Sequence, residues 1–220
     1  MDGATRWVKV WDAPTRLFHW SLVALIAGAW FTAENGWIDW HFRCGYAILA
    51  LLLFRLVWGF VGSDTARFAR FVKSPVAALA HLAHITKREP DTEIGHNAAG
   101  GLMVLAMLAL ILVQVGLGLF STDGIFTDGP LAYLVGPDLS DRITGWHEFN
   151  FNLILAAVVL HVAAILTYAV LKRHDLVRPM VTGLKKLPAG LAAPRMAPLW
   201  LALLVFAVAA GGVYAFATLA

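Results

Sequence analysis

The sequence predicts an all-α integral membrane protein: a four-helix transmembrane bundle in residues 1–190, one further transmembrane helix in 191–220, and a cytoplasmic amino terminus. Three observations predict it. Of 220 residues, 60% are hydrophobic and 14% charged, whereas a soluble domain carries about a quarter charged residues; the mean hydropathy is +0.71. The apolar residues gather in five blocks, 17–33, 41–61, 97–120, 147–171 and 197–219, each near the roughly 20 residues that a helix needs to cross a bilayer. Fourteen of the seventeen Lys and Arg fall before the first block, between the second and third, or between the fourth and fifth. Cytoplasmic loops retain basic residues, so this asymmetry predicts the amino terminus inside and the carboxyl terminus outside. The net charge of +3 is therefore a topology signal and does not call for a nucleic-acid partner.

The first block is the shortest, and Trp7, Trp11 and Trp20 around it read as an interfacial anchor. Behind Arg6, Lys9 and Arg16 it has a signal peptide's outline, with Ala27-Gly28-Ala29 resembling a cleavage site. The flanking tryptophans and His19 favour a retained span. Between spans two and three, Ser74-Pro75 opens a stretch in which Val76, Leu79, Leu82 and Ile85 recur at helical spacing, predicting a short helix at the interface. That segment ends in Lys87-Arg88-Glu89-Pro90-Asp91. Residues 121–146 carry Asp123, Asp128, Asp138 and Asp141 among Gly and Pro and read as an ordered outer loop, either simply solvated or an acidic face for a basic partner. The fifth span contains no charge and no histidine, which leaves it packing, anchoring or partner contact.

Imidazoles inside a span are costly and usually functional, so the eight histidines sort by depth. His19 begins span one on the inner side, and His41 begins span two on the outer side. His147 begins span four on the outer side, with His161 fourteen residues deeper. Fourteen residues advance about 21 Å and turn about 40° short of four full turns, so His147 and His161 share a face. By depth, His41 matches His147 and His19 matches His161. Two imidazoles from facing helices in an apolar bundle are what a b-type haem requires. Any one histidine alone reads as an interhelical hydrogen bond; four with two depth matches read as two haem sites. Cys44 is the sole cysteine and no Cys-x-x-Cys-His occurs, so no disulfide within the chain and no thioether-attached haem is expected.

Arg55 lies fourteen residues after His41, a buried guanidinium that either pairs with a haem propionate or snorkels to headgroups. The spacings Gly45/Gly59 and Gly100/Gly118 leave room for a flat ring or for close helix contact. His96 opens span three beside Asn97, where it either lines a quinone pocket or merely starts a helix. His81, His84 and His174 are expected to face solvent.

Taken in order, Trp11-Asp12-Ala13-Pro14-Thr15-Arg16-Leu17-Phe18-His19-Trp20, His41-Phe42-Arg43-Cys44-Gly45-Tyr46, Phe54-Arg55-Leu56-Val57-Trp58-Gly59, Gly95-His96-Asn97 and Trp146-His147-Glu148 with His161 resemble the bacterial cytochrome b-561 family, which includes the cytochrome b subunits of nickel-iron hydrogenases. The resemblance spans residues 6–187. It implies two haems b as cofactors, with iron ligand pairs His41/His147 and His19/His161, and Arg16, Arg43 and Arg55 as further cofactor-binding side chains. It also implies a place in the bacterial inner membrane, a quinone or quinol substrate near His96 and Asn97, and a redox partner such as a cytochrome c, a hydrogenase or another dehydrogenase. The expected function is electron transfer between quinone and that partner, by an electron-transfer protein or a subunit of a quinone-linked oxidoreductase. The alternatives are a histidine-lined proton or transition-metal transporter and a structural membrane anchor of a multisubunit oxidoreductase.

Overall fold

A computed structural model describes residues 4–84, 87 and 90–219. Among them are five helices long and apolar enough to cross a membrane, so the chain is a multi-pass membrane protein. In chain order the elements are β1 (Thr5–Lys9), α1 (Ala13–Glu34), α2 (Ile38–Val61), α3 (Phe68–Phe71), α4 (Pro75–Ala83), α5 (Ala98–Gly118), α6 (Pro137–Thr167), α7 (Val177–Thr182), β2 (Leu184–Pro188) and α8 (Leu199–Leu219).

The local chemistry explains the boundaries. Asp12 starts α1 by accepting the Thr15 N–H at 2.7 Å, and Asn97 starts α5 by accepting the Gly100 N–H at 2.8 Å, each as an N-cap. Gly36, at φ +69°, turns the chain between α1 and α2, a conformation open to glycine at little cost. Ser74 caps α4 with Pro75 at its first position, as its sequence signal predicts. Ile85, Arg88 and Glu89, which the sequence reading placed at the end of this segment, lie outside the described residues. α6 continues through a π-helical turn, Tyr168–Lys172, that ends at Arg173 in the left-handed region.

Two expectations change. The helix of span four starts ten residues before His147, at Pro137, so the outer loop is shorter than 121–146 and His147 sits in the third turn of α6. The small sheet has no counterpart in the sequence reading. β1 and β2 pair antiparallel with Trp7 opposite Lys186, a long-range pairing that a five-residue segment at each end of the bundle does not advertise. Beneath it Val8, Val10, Trp11 and Leu187 form a buried cluster. Trp11 is thus core, 7% exposed, whereas Trp7 lies outside with the Arg178 guanidinium 4.4 Å from its ring.

The chain divides into two compact units. The first holds the described residues of Met1–Phe18, Arg55–Ala106 and Val159–Leu203; the second, those of His19–Phe54, Met107–Val158 and Leu204–Ala220. Polar contacts tie the first together. Lys185, almost fully buried, reaches Asp91 at 2.8 Å and the Glu93 carbonyl at 2.7 Å, and Thr65 donates to the Val10 carbonyl at 2.6 Å. In the second, α8 meets α2 through Tyr46 against Phe216 and Phe54 against Phe206, while Trp30, Trp37, Trp40 and Trp146 are exposed in the manner of an interfacial aromatic belt. Its outer loop is ordered by Asp123, whose Oδ1 accepts the backbone N–H groups of Ile125, Phe126 and Thr127 at 2.8–2.9 Å. These bonds, with that from Thr127 foremost, hold the Asp123 carboxyl down to about 2.

Candidate functional site

Within the second unit the structure brings His41 of α2 and His147 of α6 together, their ring centroids 6.1 Å apart and their planes near perpendicular. Each ring is aimed by a backbone carbonyl. His41 Nδ1 lies 2.8 Å from the Ala29 carbonyl oxygen of α1, and His147 Nδ1 lies 3.0 Å from that of Gln114 on α5. A carbonyl only accepts, so both Nδ1 atoms carry the proton and both Nε2 atoms keep a lone pair. This is the arrangement that carbonyl partners impose on metal-binding imidazoles.

The two rings line a cavity of about 620 Å³ whose walls come from α1, α2, α5 and α6, within the range of ligand pockets, about 300–1,000 Å³. Gly45 borders it with nothing within 4 Å of where a Cβ would stand, and at Gly118 a Cβ would come 3.1 Å from the His147 ring. Gly45 thus leaves open space, and Gly118 gives its room to the His147 ring. Gly59 makes room for the Phe68 ring, which a Cβ would meet at 2.0 Å, and Gly100 for the Asn97 cap.

The donor set fits a haem. Metal–imidazole bonds of about 2 Å, plus roughly 1 Å from each nitrogen to its ring centre, put two axial rings on one ion about 6 Å apart. Among the described residues no group of three or more His, Cys, Asp or Glu side chains could hold a metal ion by itself. A macrocycle that brings its own four nitrogens needs only the pair.

Two residues that the sequence reading passed over complete the frame. Gln114 accepts at Oε1 from Asn150 Nδ2 at 2.7 Å, and the same amide reaches the Leu110 carbonyl at 3.0 Å. Asn150, 6% exposed, locks α5 to α6 one turn below His147. Both are polar side chains within spans, and Asn150 lies three residues from His147; that was the available signal.

The other site residues are placed as follows. His19, half-buried on α1, has the Trp20 ring 4.9 Å away and belongs to the second unit; His161, half-buried on α6, belongs to the first. Arg55 is 3% exposed, with its guanidinium 4.9 Å from the Phe68 ring and Asp12 as the opposing charge. Its Nη1 has no hydrogen-bond partner among the described residues. Asp12 in turn accepts from the buried Trp58 Nε1 at 3.1 Å. Arg16 donates through Nη1 to the Val181 carbonyl at 2.5 Å, and Arg43 is exposed, 4.8 Å over Trp40.

In the first unit the His96 ring is flanked by Trp11 at 4.7 Å and Phe71 at 4.9 Å. Asn97 donates through Nδ2 to the Tyr168 hydroxyl at 3.0 Å, and His81 Nε2 meets the same hydroxyl at 2.6 Å with the rings stacked. The expectation that His81 faces solvent is corrected, because α4 turns it onto the π-helical turn. His174 is also drawn inward, its side chain 13% exposed and 3.7 Å from Asp91. His84 stays exposed, against its own helix at the Ala80 carbonyl.

A membrane-spanning helical bundle with opposed, carbonyl-oriented imidazoles on separate helices belongs to the class of b-type cytochromes. Residues 10–183 match the family described as prokaryotic cytochrome b561, and the chain belongs to it; haem b is thus its cofactor type and electron transport its business. Similar curated proteins include a "Probable Ni/Fe-hydrogenase B-type cytochrome subunit" of Azotobacter vinelandii, 27% identical over 80% of this chain and 87% of that protein. The one of Azotobacter chroococcum is 28% identical over 80% and 87%, and the "Probable Ni/Fe-hydrogenase 1 B-type cytochrome subunit" of Escherichia coli K12 is 26% identical over 79% and 88%. No solved structure matches the chain.

Proposed function

We propose that the protein is a dihaem cytochrome b of the bacterial inner membrane, amino terminus inside, that passes electrons between quinone and a hydrogenase-type redox partner. The observation that carries the reading is the His41/His147 pair with both Nδ1 atoms on carbonyls. The names of the similar proteins supply the partner class. His19 and His161 are assigned the second haem. When bound, each haem takes up and gives off one electron, which divides the low-dielectric crossing into shorter transfers.

The chain's own residues orient, insulate and move protons. Ala29 and Gln114 hold the two rings in the tautomer that offers Nε2. Apolar side chains from four helices, Ile26, Ile48, Ile111 and Leu155 among them, line much of the cavity. Arg55, with Nη1 unused, suits the anionic propionate of the inner group. Quinone reduction needs protons, and the Tyr168 hydroxyl, held between His81 and Asn97, is a group that can exchange one.

Haem extraction and quantitation on the purified protein should give about two haems b per chain, and His19→Ala and His161→Ala should each lose the same one. A fully loaded preparation holding one haem overturns the dihaem reading. One holding none while conducting protons or a transition metal returns the protein to the transporter class.

A further inference from the structure

The first unit contains a second recess, about 250 Å³ in volume, where α2 ends and α8 is about to begin. Three arginines line it, Arg67, Arg70 and Arg195, with Asp64 as the one carboxylate among the lining residues. That carboxylate is largely committed. Its Oδ2 accepts the Arg195 backbone N–H at 3.0 Å, while its own N–H donates to the Arg195 carbonyl at 3.0 Å. Its Oδ1 stands 3.9 Å from both Arg67 Nη1 and Arg70 Nη2, too far for direct hydrogen bonds.

The recess is rigidly built. Arg67 Nε donates to the Gly62 carbonyl at 2.8 Å, and the fully buried Ser63 accepts the Ala197 N–H at Oγ, 2.9 Å. The two chain segments that carry the arginines are therefore pinned to one another, and three arginines line the recess against one carboxylate. Such a surplus suits an anion with several oxygens, because guanidinium forks match phosphate geometry.

The surroundings say which phosphate. The recess stands at the ends of two apolar spans, and the residues next to it in the chain are exposed and greasy: Phe60 is 73% exposed, Trp200 65% and Leu203 62%. A free anion has no use for these, whereas a lipid lays its acyl chains along them while its headgroup enters the basic pocket, as basic pockets between helices do at the charged side of a membrane. We infer that the Arg67/Arg70/Arg195 recess is a binding site for the phosphate of an anionic phospholipid.

The haem-loaded protein in mild detergent, titrated with phosphatidylglycerol and observed by native mass spectrometry, should retain one such lipid in preference to phosphatidylcholine. Millimolar inorganic phosphate should not displace it. The variant R70Q/R195Q keeps the Arg67–Gly62 bond and the Arg195 backbone contacts, so it should fold with unchanged haem content. It should bind the lipid about twenty-five-fold more weakly, at roughly fivefold per arginine near the surface. R173Q, which alters a basic residue outside the recess, should bind like the wild type. Equal retention of phosphatidylcholine, displacement by inorganic phosphate, undiminished binding by R70Q/R195Q, or an equal loss in R173Q would each overturn the assignment.

Discussion

The two compact units use polar groups in opposite ways. In the second, His41 and His147 are turned by carbonyls toward a cavity of about 620 Å³, and Gly45 beside them leaves space open. In the first, polar groups engage one another: Trp58 and Arg55 gather on Asp12, and Tyr168 joins His81 to Asn97, while Phe68 occupies the room at Gly59. Imidazole lone pairs turned toward a common cavity suit a metal-bearing ligand. Polar side chains engaged with one another position charges and protons. The difference teaches that spacing alone does not separate the two uses, because Gly45 and Gly59 lie on the same face of α2 and do different things.

The sharpest way to break this contrast is to remove a ring. His41→Ala and His147→Ala should each abolish the same haem, lowering Soret absorbance per chain by about half, with no electron transfer through the protein in a quinone-reduction assay. If either variant keeps its full haem complement, the cavity is not a haem site. A matched pair of glycine variants sharpens the same point. Gly118→Ala pushes a methyl group to 3.1 Å from the His147 ring, and disturbing the support of a metal ligand typically costs 10–100-fold, so haem affinity should fall by roughly tenfold. Gly59→Ala meets Phe68 instead. It should lower thermal stability by about 1–3 kcal/mol, as overpacking does, and leave the affinity at the outer site unchanged. Equal effects of the two on haem titration would erase the distinction.

Much of this was legible in the residues. Five spans and the depth match of His41 with His147 follow from periodicity and length, because each histidine interrupts an otherwise apolar helix. What stayed hidden depends on backbone and on distance in the chain. The Ala29 and Gln114 carbonyls that select the tautomer have no side-chain signature. The pairing of β1 with β2 joins residues some 180 apart in sequence. His81 and His174 read as surface residues because their partners, Tyr168 and Asp91, lie 87 and 83 positions away. Glycine spacing left two uses open at Gly45/Gly59 and Gly100/Gly118, since a missing Cβ gives space without saying what enters it.

A smaller effect is expected at the Asp12 network of the first unit. Asp12 accepts from the Thr15 N–H with one oxygen and from Trp58 Nε1 with the other. Asp12→Asn retains one acceptor and turns the other into a donor facing a donor, while Arg55 loses its opposing charge. A buried donor stripped of its partner costs about 1–3 kcal/mol, which denaturation in mild detergent should read as a lowered midpoint. The outer His41/His147 haem should keep its absorbance. Loss of that haem in Asp12→Asn would show that the first unit's polar network also holds the cavity open.

The mildest test concerns whether order at the outer loop belongs to the cavity or only to Asp123. Three backbone N–H bonds hold this carboxyl at about 2, below its ordinary 3.8. A depressed carboxyl stabilises its loop fully above the unfolded value and loses that contribution as pH falls toward and through 2. The amide resonances of Ile125, Phe126 and Thr127 should therefore shift together with a midpoint near 2; a midpoint near 3.8 would mean that the three bonds do not hold the loop in solution. At neutral pH, Asp123→Ala should loosen the same three amides and leave haem content unchanged, because Asp123 touches the loop backbone and none of the residues around His41 and His147. Haem loss in that variant would tie the loop to the cavity and make the second unit a single cooperative piece.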